Sequence, residues 1–342
     1  MMKIAIVGAG AIGGLIAARL AASSLADVSV LARGQTLAAL RRAGLHLEMD
    51  GKAIDVPVKS SDNACDIGPQ DLVVIAVKGP SLSELAPTLT PMIGAHTVIL
   101  PTMNGVPWWF CQVGGTFAPF SLESVDPDGH IAQHLPVAQT FGCVVHIGAS
   151  CPQPGWIRHA MGKELIIGEA LGGSSPRLDA IAQLLSRADL DIKQSANVRQ
   201  DIWFKLWGNL TMNPVSALTG ATVDRLLDDP LVRDFCSSAM REAARIGERI
   251  GCPVAQEPED RHAITHRLGA FKTSMLQDLE AGRAIELDSI VGATHEIGRH
   301  FDMATPCIDA ILGLTRLMAR TRGLYPAETS LVSNKFSKQP SN

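Results

Sequence analysis

Apolar and polar positions along the chain follow two periods in succession. Up to about residue 195, short apolar runs alternate with amphipathic stretches. Lys3 to Val7, Val28 to Leu31, Leu72 to Val77 and Thr97 to Leu100 read as strands buried on both faces. Ala11 to Ala22 and Thr36 to Ala43 read as helices between them, and another is expected from Ser81. Leu45 to Met49 and Ala53 to Val58 flank Asp50-Gly51, the signature of a β-hairpin. Val137 to His146, Trp156 to His159 and Glu164 to Ile167 read as an antiparallel extension, followed by a helix over Pro176 to Arg187 and a short strand over Leu190 to Lys193.

After Ala196 helical periods dominate: Val198 to Met212, Pro230 to Ile250, Pro258 to Ala281, Ile285 to Phe301 and Pro306 to Thr321. Gly251 and Gly282 fall where helices stop. Residues 105 to 136 break the pattern. They are rich in Gly and Pro, carry the triplet Trp108-Trp109-Phe110, and read as a long insertion with little regular structure.

The turn after the first strand reads Gly8-Ala9-Gly10-Ala11-Ile12-Gly13, a GxGxxG that opens a helix. Such a turn needs glycine three times: for the tight bend, for approach of the backbone to a pyrophosphate, and for close helix–strand packing. Phosphates then lie at the helix N-terminus, where free N–H groups and the helix dipole favour anions. The fold class is therefore α/β: an N-terminal Rossmann-type doubly wound sheet followed by an all-α C-terminal domain. The expected boundaries are 1–195, 196–329 and a polar tail over 330–342.

The second strand bears on which dinucleotide binds. An NAD site would place Asp or Glu near its end. Here the strand ends Leu31-Ala32-Arg33-Gly34, without an acid, and Arg33 offers a cation to a 2′-phosphate. The reading is NADP(H), with an ordinary exposed arginine as the alternative. Lys78 and Asn104 follow strands at the carboxyl edge of the sheet, where ligands of open α/β sheets bind.

In the second half, Lys205, Asn209 and Asn213 recur at i, i+4 and i+8. On a helix they form one polar stripe amid Trp203, Phe204 and Trp207. A polar stripe flanked by buried aromatics needs partners or a ligand. A lysine there has its ammonium form disfavoured by desolvation and can act as a general acid towards a ketone oxygen. Ser274 and Asp278 are i, i+4 on a later helix, Gly282 ends it, and Glu286 opens the next, where the helix dipole by itself would favour an acid.

The pattern resembles the ketopantoate reductase family. The resemblance spans nearly the whole chain: GAGAIG, VK at Lys78, NG at Asn104, KLWGNLTMNP from Lys205 and SMLQDLEAGRAIELD from Ser274. It implies NADPH, ketopantoate as substrate and (R)-pantoate as product, in pantothenate biosynthesis. It implies Lys205 as general acid, Glu286 in substrate binding and catalysis, and Asn209, Asn213, Ser274 and Asp278 in the substrate pocket. The family's usual segment after the NG pair is shorter. The insertion could therefore reshape the pocket for another 2-keto acid or ketone, or form a peripheral loop or dimer contact. A non-catalytic NADPH-binding sensor is the rival from a different class.

Composition narrows the rest. The chain has 342 residues, a formal net charge of -4 and no Lys/Arg-rich block, which argues against nucleic acid or an anionic membrane as partner. The seven cysteines form no CxxC pair, which fits reduced cytosolic thiols and a cytoplasmic location. The apolar N-terminus could pass for a signal peptide, but Gly8, Gly10, Gly13 and Gly14 interrupt it and Arg19 lies inside it. His130/His134 and His262/His266 have ligand spacing without a third ligand nearby, so no metal is expected. His159 and His295 read as structural. The sequence is silent on oligomeric state, though the helical half could support a homodimer.

Overall fold

The structure, a computed structural model, describes residues 1–326. Its strands are β1 (Met2–Val7), β2 (Ala26–Leu31), β3 (Leu45–Met49), β4 (Lys52–Val56), β5 (Lys59–Ser61), β6 (Gln70–Ile75), β7 (Ile93–Pro101), β8 (Phe141–Gln153), β9 (Trp156–Glu169) and β10 (Asp191–Gln194). A parallel five-stranded sheet runs in the order β5-β2-β1-β6-β7. The order reverses between β1 and β6, which places a ligand crevice at the carboxyl end of β1.

The apolar runs are continuous because successive residues enter two different cores. Ile4, Ile6, Leu72 and Val74 pack into one cluster, while Ala5, Val7, Val73 and Ile75 pack into another. The helix Ala11–Ser23 crosses the first of these faces, with Leu15, Ile16 and Leu20 fully buried. A second sheet, β10-β9-β3-β4 with β8 antiparallel to β9, packs on the other side of that helix. The hairpin at Asp50-Gly51 forms as expected, and both residues take positive φ, as such a turn requires. Its strands join the second sheet.

Several expectations change. The two strands expected over 156–167 are a single strand, β9, whose pairing with β8 is interrupted by register shifts. The helix expected from Ser81 is a sequence of short turns, Gly79–Ser81, Leu82–Leu85 and Ala86–Met92, with Pro91 inside the last. The helix expected over 258–281 is two, Pro258–His266 and Ser274–Glu280, separated where Gly269 takes φ +73°.

The segment 105–136 is irregular, as its Gly/Pro content predicts, but it is not peripheral. Trp108, Trp109, Phe110, Cys111, Leu122, Ile131 and Leu135 are buried. The Phe110 ring stacks on Trp203 at 5.9 Å, and Arg199 donates to the Phe110 carbonyl at 3.0 Å. The Glu296 carboxylate accepts from the Glu123 and Ser124 amides at 2.7 and 2.9 Å. The segment therefore belongs to the core shared with the helical half, where its aromatic side chains bury far more apolar surface than a solvent loop could.

From Val198 on, the regular elements of the described residues are all helices. The helix Val198–Thr219 packs on Pro230–Arg249, Ser274–Glu280, Pro306–Thr321 and β8. A further helix, Val223–Asp228, was not foreseen. In place of a continuous helix from Ile285, a π-helical turn over Asp288–Gly292 leads into Ala293–His300. Gly251 and Gly282 take positive φ at helix ends, as expected. No helix among the described residues is long and apolar enough to cross a membrane. All seven cysteines are free thiols. The expected polar tail lies outside the described residues.

Candidate active site

The glycine turn is built as its spacing predicts. Gly8 takes φ +91°, and its N–H donates to Leu31 of β2 at 3.0 Å. A Cβ on Gly13 would overlap the Gly8 carbonyl oxygen and come within 2.7 Å of Ala76 Cβ. A Cβ on Gly10 would meet nothing within 4 Å, so that edge of the turn is open. The helix beginning at Ala11 has no side-chain cap and no acid in its first turn. The N–H groups of Ala11, Ile12 and Gly13 therefore face the open edge without a competing acceptor, a cradle that fits a pyrophosphate. Ala9 is buried behind it.

Arg33 stands exposed at the start of the next helix, with no ion pair or side-chain hydrogen bond to any described residue. It is free to meet a phosphate beyond the end of β2.

Chain positions far apart meet around Lys205. Its ammonium donates to Asn104 Oδ1 at 2.8 Å and to the Val145 carbonyl at 2.6 Å. Burial lowers its pKa from 10.5 to about 8, against the opposing pull of Cys143 and Glu286. Glu286 lies on the other side of Asn104. Burial raises its pKa and the nearby Lys78 counters this, as do the adjacent Gly79 amide and Asn104 side chain. Lysine, asparagine and glutamate thus form a compact polar cluster in a poorly solvated site, with two groups whose pKa values move towards neutrality.

Lys78 and Asp278 meet each other. Lys78 Nζ is 2.7 Å from Asp278 Oδ2 and also donates to the Ala284 carbonyl at 3.1 Å. Arg283 holds the other Asp278 oxygen at 2.9 Å. This cluster ties the edge of the parallel sheet to the helical half. It leaves the Asp278 carboxylate occupied by two cations.

Asn209, Asn213 and Ser274 are different. None makes a side-chain hydrogen bond to a described residue, although Asn213 is only 6% exposed. Asn213 is buried and Asn209 half-buried. Buried amides seldom stay unpaired, so this face, in line with Lys205, offers two amides that could meet a ligand. A cavity of about 260 Å³ adjoins the site at Asn104 and Glu286 and is walled by Trp108, Trp109, Ser124 and Ser289. It does not include Lys205 or the two asparagines.

Two parts of this site had no sequence signal. The Val145 carbonyl is a backbone group in an apolar strand. Arg261, in a stretch expected only to be helical, lies against the same long helix, its Nε within 3.0 Å of where a Cβ on Gly208 would be. The histidine pairs are accounted for locally: His130 and His134 stack edge to face, His262 bonds Ser237 at 3.0 Å, and His266 bonds Asp228 at 3.0 Å.

Fold and site define a two-domain oxidoreductase with a Rossmann-type dinucleotide-binding half and a helical half that closes over its carboxyl edge. Residues 4–172 match the family "Ketopantoate reductase PanE/ApbA" and residues 197–319 match "Ketopantoate reductase PanE/ApbA C terminal". The chain belongs to the ketopantoate reductase family. A 2-dehydropantoate 2-reductase of Mesorhizobium japonicum is 42% identical over 325 residues, covering 95% of this chain and 100% of that protein. One from Halobacterium salinarum is 27% identical over 323 residues, covering 93% and 99%. A crystal structure of a candidate ketopantoate reductase from Ralstonia solanacearum MolK2 superposes with a TM-score of 0.91 at 52% identity, covering 95% of this chain and 100% of that one.

Proposed function

We propose that the chain catalyses NADPH-dependent reduction of ketopantoate (2-dehydropantoate) to (R)-pantoate, the reductive step towards pantothenate. The observation that carries this reading is the held, desolvated ammonium of Lys205 in line with two unpartnered amides. When bound, NADPH supplies a hydride to the ketone carbon. Gly8 to Gly13 would hold its pyrophosphate, and Arg33 its 2′-phosphate. Asn209, Asn213 and Ser274 would bind the polar groups of the substrate and orient its ketone.

Lys205 would protonate the developing alkoxide. With a pKa near 8 it is mostly protonated at neutral pH, yet far more willing to release the proton than a solvated lysine. Asn104 and Val145 keep the ammonium in one position, which reduces the entropy lost on reaching the transition state. Glu286 would take part in substrate binding and, through Asn104, in orienting Lys205. The Lys78–Asp278 pair would hold the two halves at the distance the reaction needs, with 1–195 acting as the cofactor-binding unit and 196–329 as the substrate unit.

The apolar cavity beside Glu286 favours one second reading, reduction of a bulkier 2-oxo acid. Steady-state assays with NADPH, ketopantoate and a panel of 2-oxo acids decide between them. Turnover of another acid with none of ketopantoate would overturn the first reading, and NADPH binding without any turnover would favour a sensor. The ketopantoate reductase of Staphylococcus aureus is described as dimeric. Self-association of this chain is the corresponding expectation, which light scattering checks.

A further inference from the structure

Arg261 has no counter-ion among the described residues. It lies in the helix Pro258–His266, with its guanidinium carbon 5.3 Å from the centre of the Phe204 ring. It also crosses the long helix at Gly208, where an added Cβ would come within 3.0 Å of Nε and 3.3 Å of Nη2. Phe204 and Gly208 are one turn apart and immediately precede Lys205 and Asn209. The guanidinium therefore borders the polar stripe.

Its Nε is buried and has no hydrogen-bond partner. No carboxylate among the described residues pairs with it, although its own helix carries Glu259 and Asp260. Glu259 is taken by Arg233 and by Ser237. The neighbouring cations of the site are paired, since Lys78 and Arg283 share Asp278. Arg261 is also one of the charges that depress the pKa values of Lys205 and His146, so its field reaches the reacting region.

A desolvated guanidinium with an unsatisfied N–H is costly unless an anion completes it. Its planar fork is matched to a carboxylate, which it can bind through two parallel hydrogen bonds. Gly208 is the residue that leaves room for the fork. We propose that Arg261 is a specificity-determining residue that receives the carboxylate of a 2-oxo acid substrate while Lys205 faces its ketone oxygen. The proposal rests on the reductase reading above and adds to it the group that selects acids over neutral ketones.

The test compares wild type, Arg261→Gln and Arg261→Lys in the full chain, with NADPH, on a 2-oxo acid and on its methyl ester. The expected result is a KM for the acid raised about 10- to 100-fold in Arg261→Gln, with kcat changed far less. The acid-to-ester ratio of kcat/KM should fall by a similar factor, and Arg261→Lys should recover part of it. The free Arg261→Gln protein should melt no lower than wild type, because the variant removes an unpaired charge. Equal losses on acid and ester, or none on the acid, would overturn the proposal.

The two readings fail separately. If ketopantoate is reduced and Arg261→Gln costs nothing on it, the Arg261 proposal fails and the reductase reading stands. If only other 2-oxo acids are reduced, the named substrate is wrong and the ratio is read on those acids. If nothing is turned over, calorimetry with oxalate on the NADPH-bound protein gives the answer, and equal binding by wild type and Arg261→Gln refutes the proposal.

Discussion

Replacing Lys205 with methionine removes the ammonium while keeping an unbranched side chain of similar length. The lowering of its pKa from 10.5 to about 8 corresponds to about 3 kcal/mol by which the fold disfavours the charged form. Because the folded-state pKa lies below the unfolded one, this destabilisation is present in full below about pH 8. It fades as pH rises towards about 10.5, where the unfolded chain also loses the proton. Lys205→Met escapes the penalty but leaves the Val145 carbonyl and Asn104 Oδ1 without their donor, at a cost of about 1 to 3 kcal/mol. Its stability at neutral pH should thus equal or exceed that of wild type, while kcat falls about 10²- to 10⁴-fold and NADPH binding is retained. The cleaner quantity is the difference with pH. Thermal melts of both proteins at about pH 7 and about pH 10 should show the Met variant losing its relative advantage by several degrees. Wild-type kcat/KM should also decline above about pH 8 as the acid is lost. A melting difference that does not change with pH, or a kcat left intact, would refute the assignment of Lys205 as a desolvated acid.

Gly13→Ala forces a methyl into the Gly8 carbonyl and Ala76. It should cost about 1 to 3 kcal/mol in chemical denaturation and weaken NADPH binding measured by fluorescence. Arg33→Ala should raise the KM for NADPH about 10- to 100-fold and leave that for NADH nearly unchanged, and an equal effect on both cofactors would remove Arg33 from the 2′-phosphate site. Glu242 is buried in the helix Pro230–Arg249, and its carboxylate accepts from the Cys307 and Ile308 amides at 3.0 Å each, capping the helix that starts at Pro306. Glu242→Ala should lower stability by about 1 to 2 kcal/mol in urea melts, with the KM for substrate unaffected.

The local features were legible from sequence because they depend on neighbours along the chain. The apolar runs of β1 and β6 mark strands covered on both faces. The spacing of Gly8, Gly10 and Gly13 encodes the turn, since Gly13 admits no side chain. The period of Lys205, Asn209 and Asn213 sets one polar helix face, whatever lies opposite it. Gly251 and Gly282 stop helices because they accept positive φ.

What lies opposite that face was decided only by tertiary packing. Asn104 is 101 residues from Lys205 and Val145 is 60 away, and no periodicity relates them. The pairing of Lys78 with Asp278 likewise depends on how the helical half docks on the sheet edge. The insertion reads as a loop because it lacks a period, yet Trp108, Trp109 and Phe110 are buried, because burial follows apolar surface rather than regular backbone. Arg261 carries no sequence signal, and only the fold lays it across Gly208 with its Nε unpartnered among the described residues. The sequence by itself determines the elements and the polar stripe. Only packing between distant segments desolvates the lysine, pairs some charges and leaves others without a partner among the described residues.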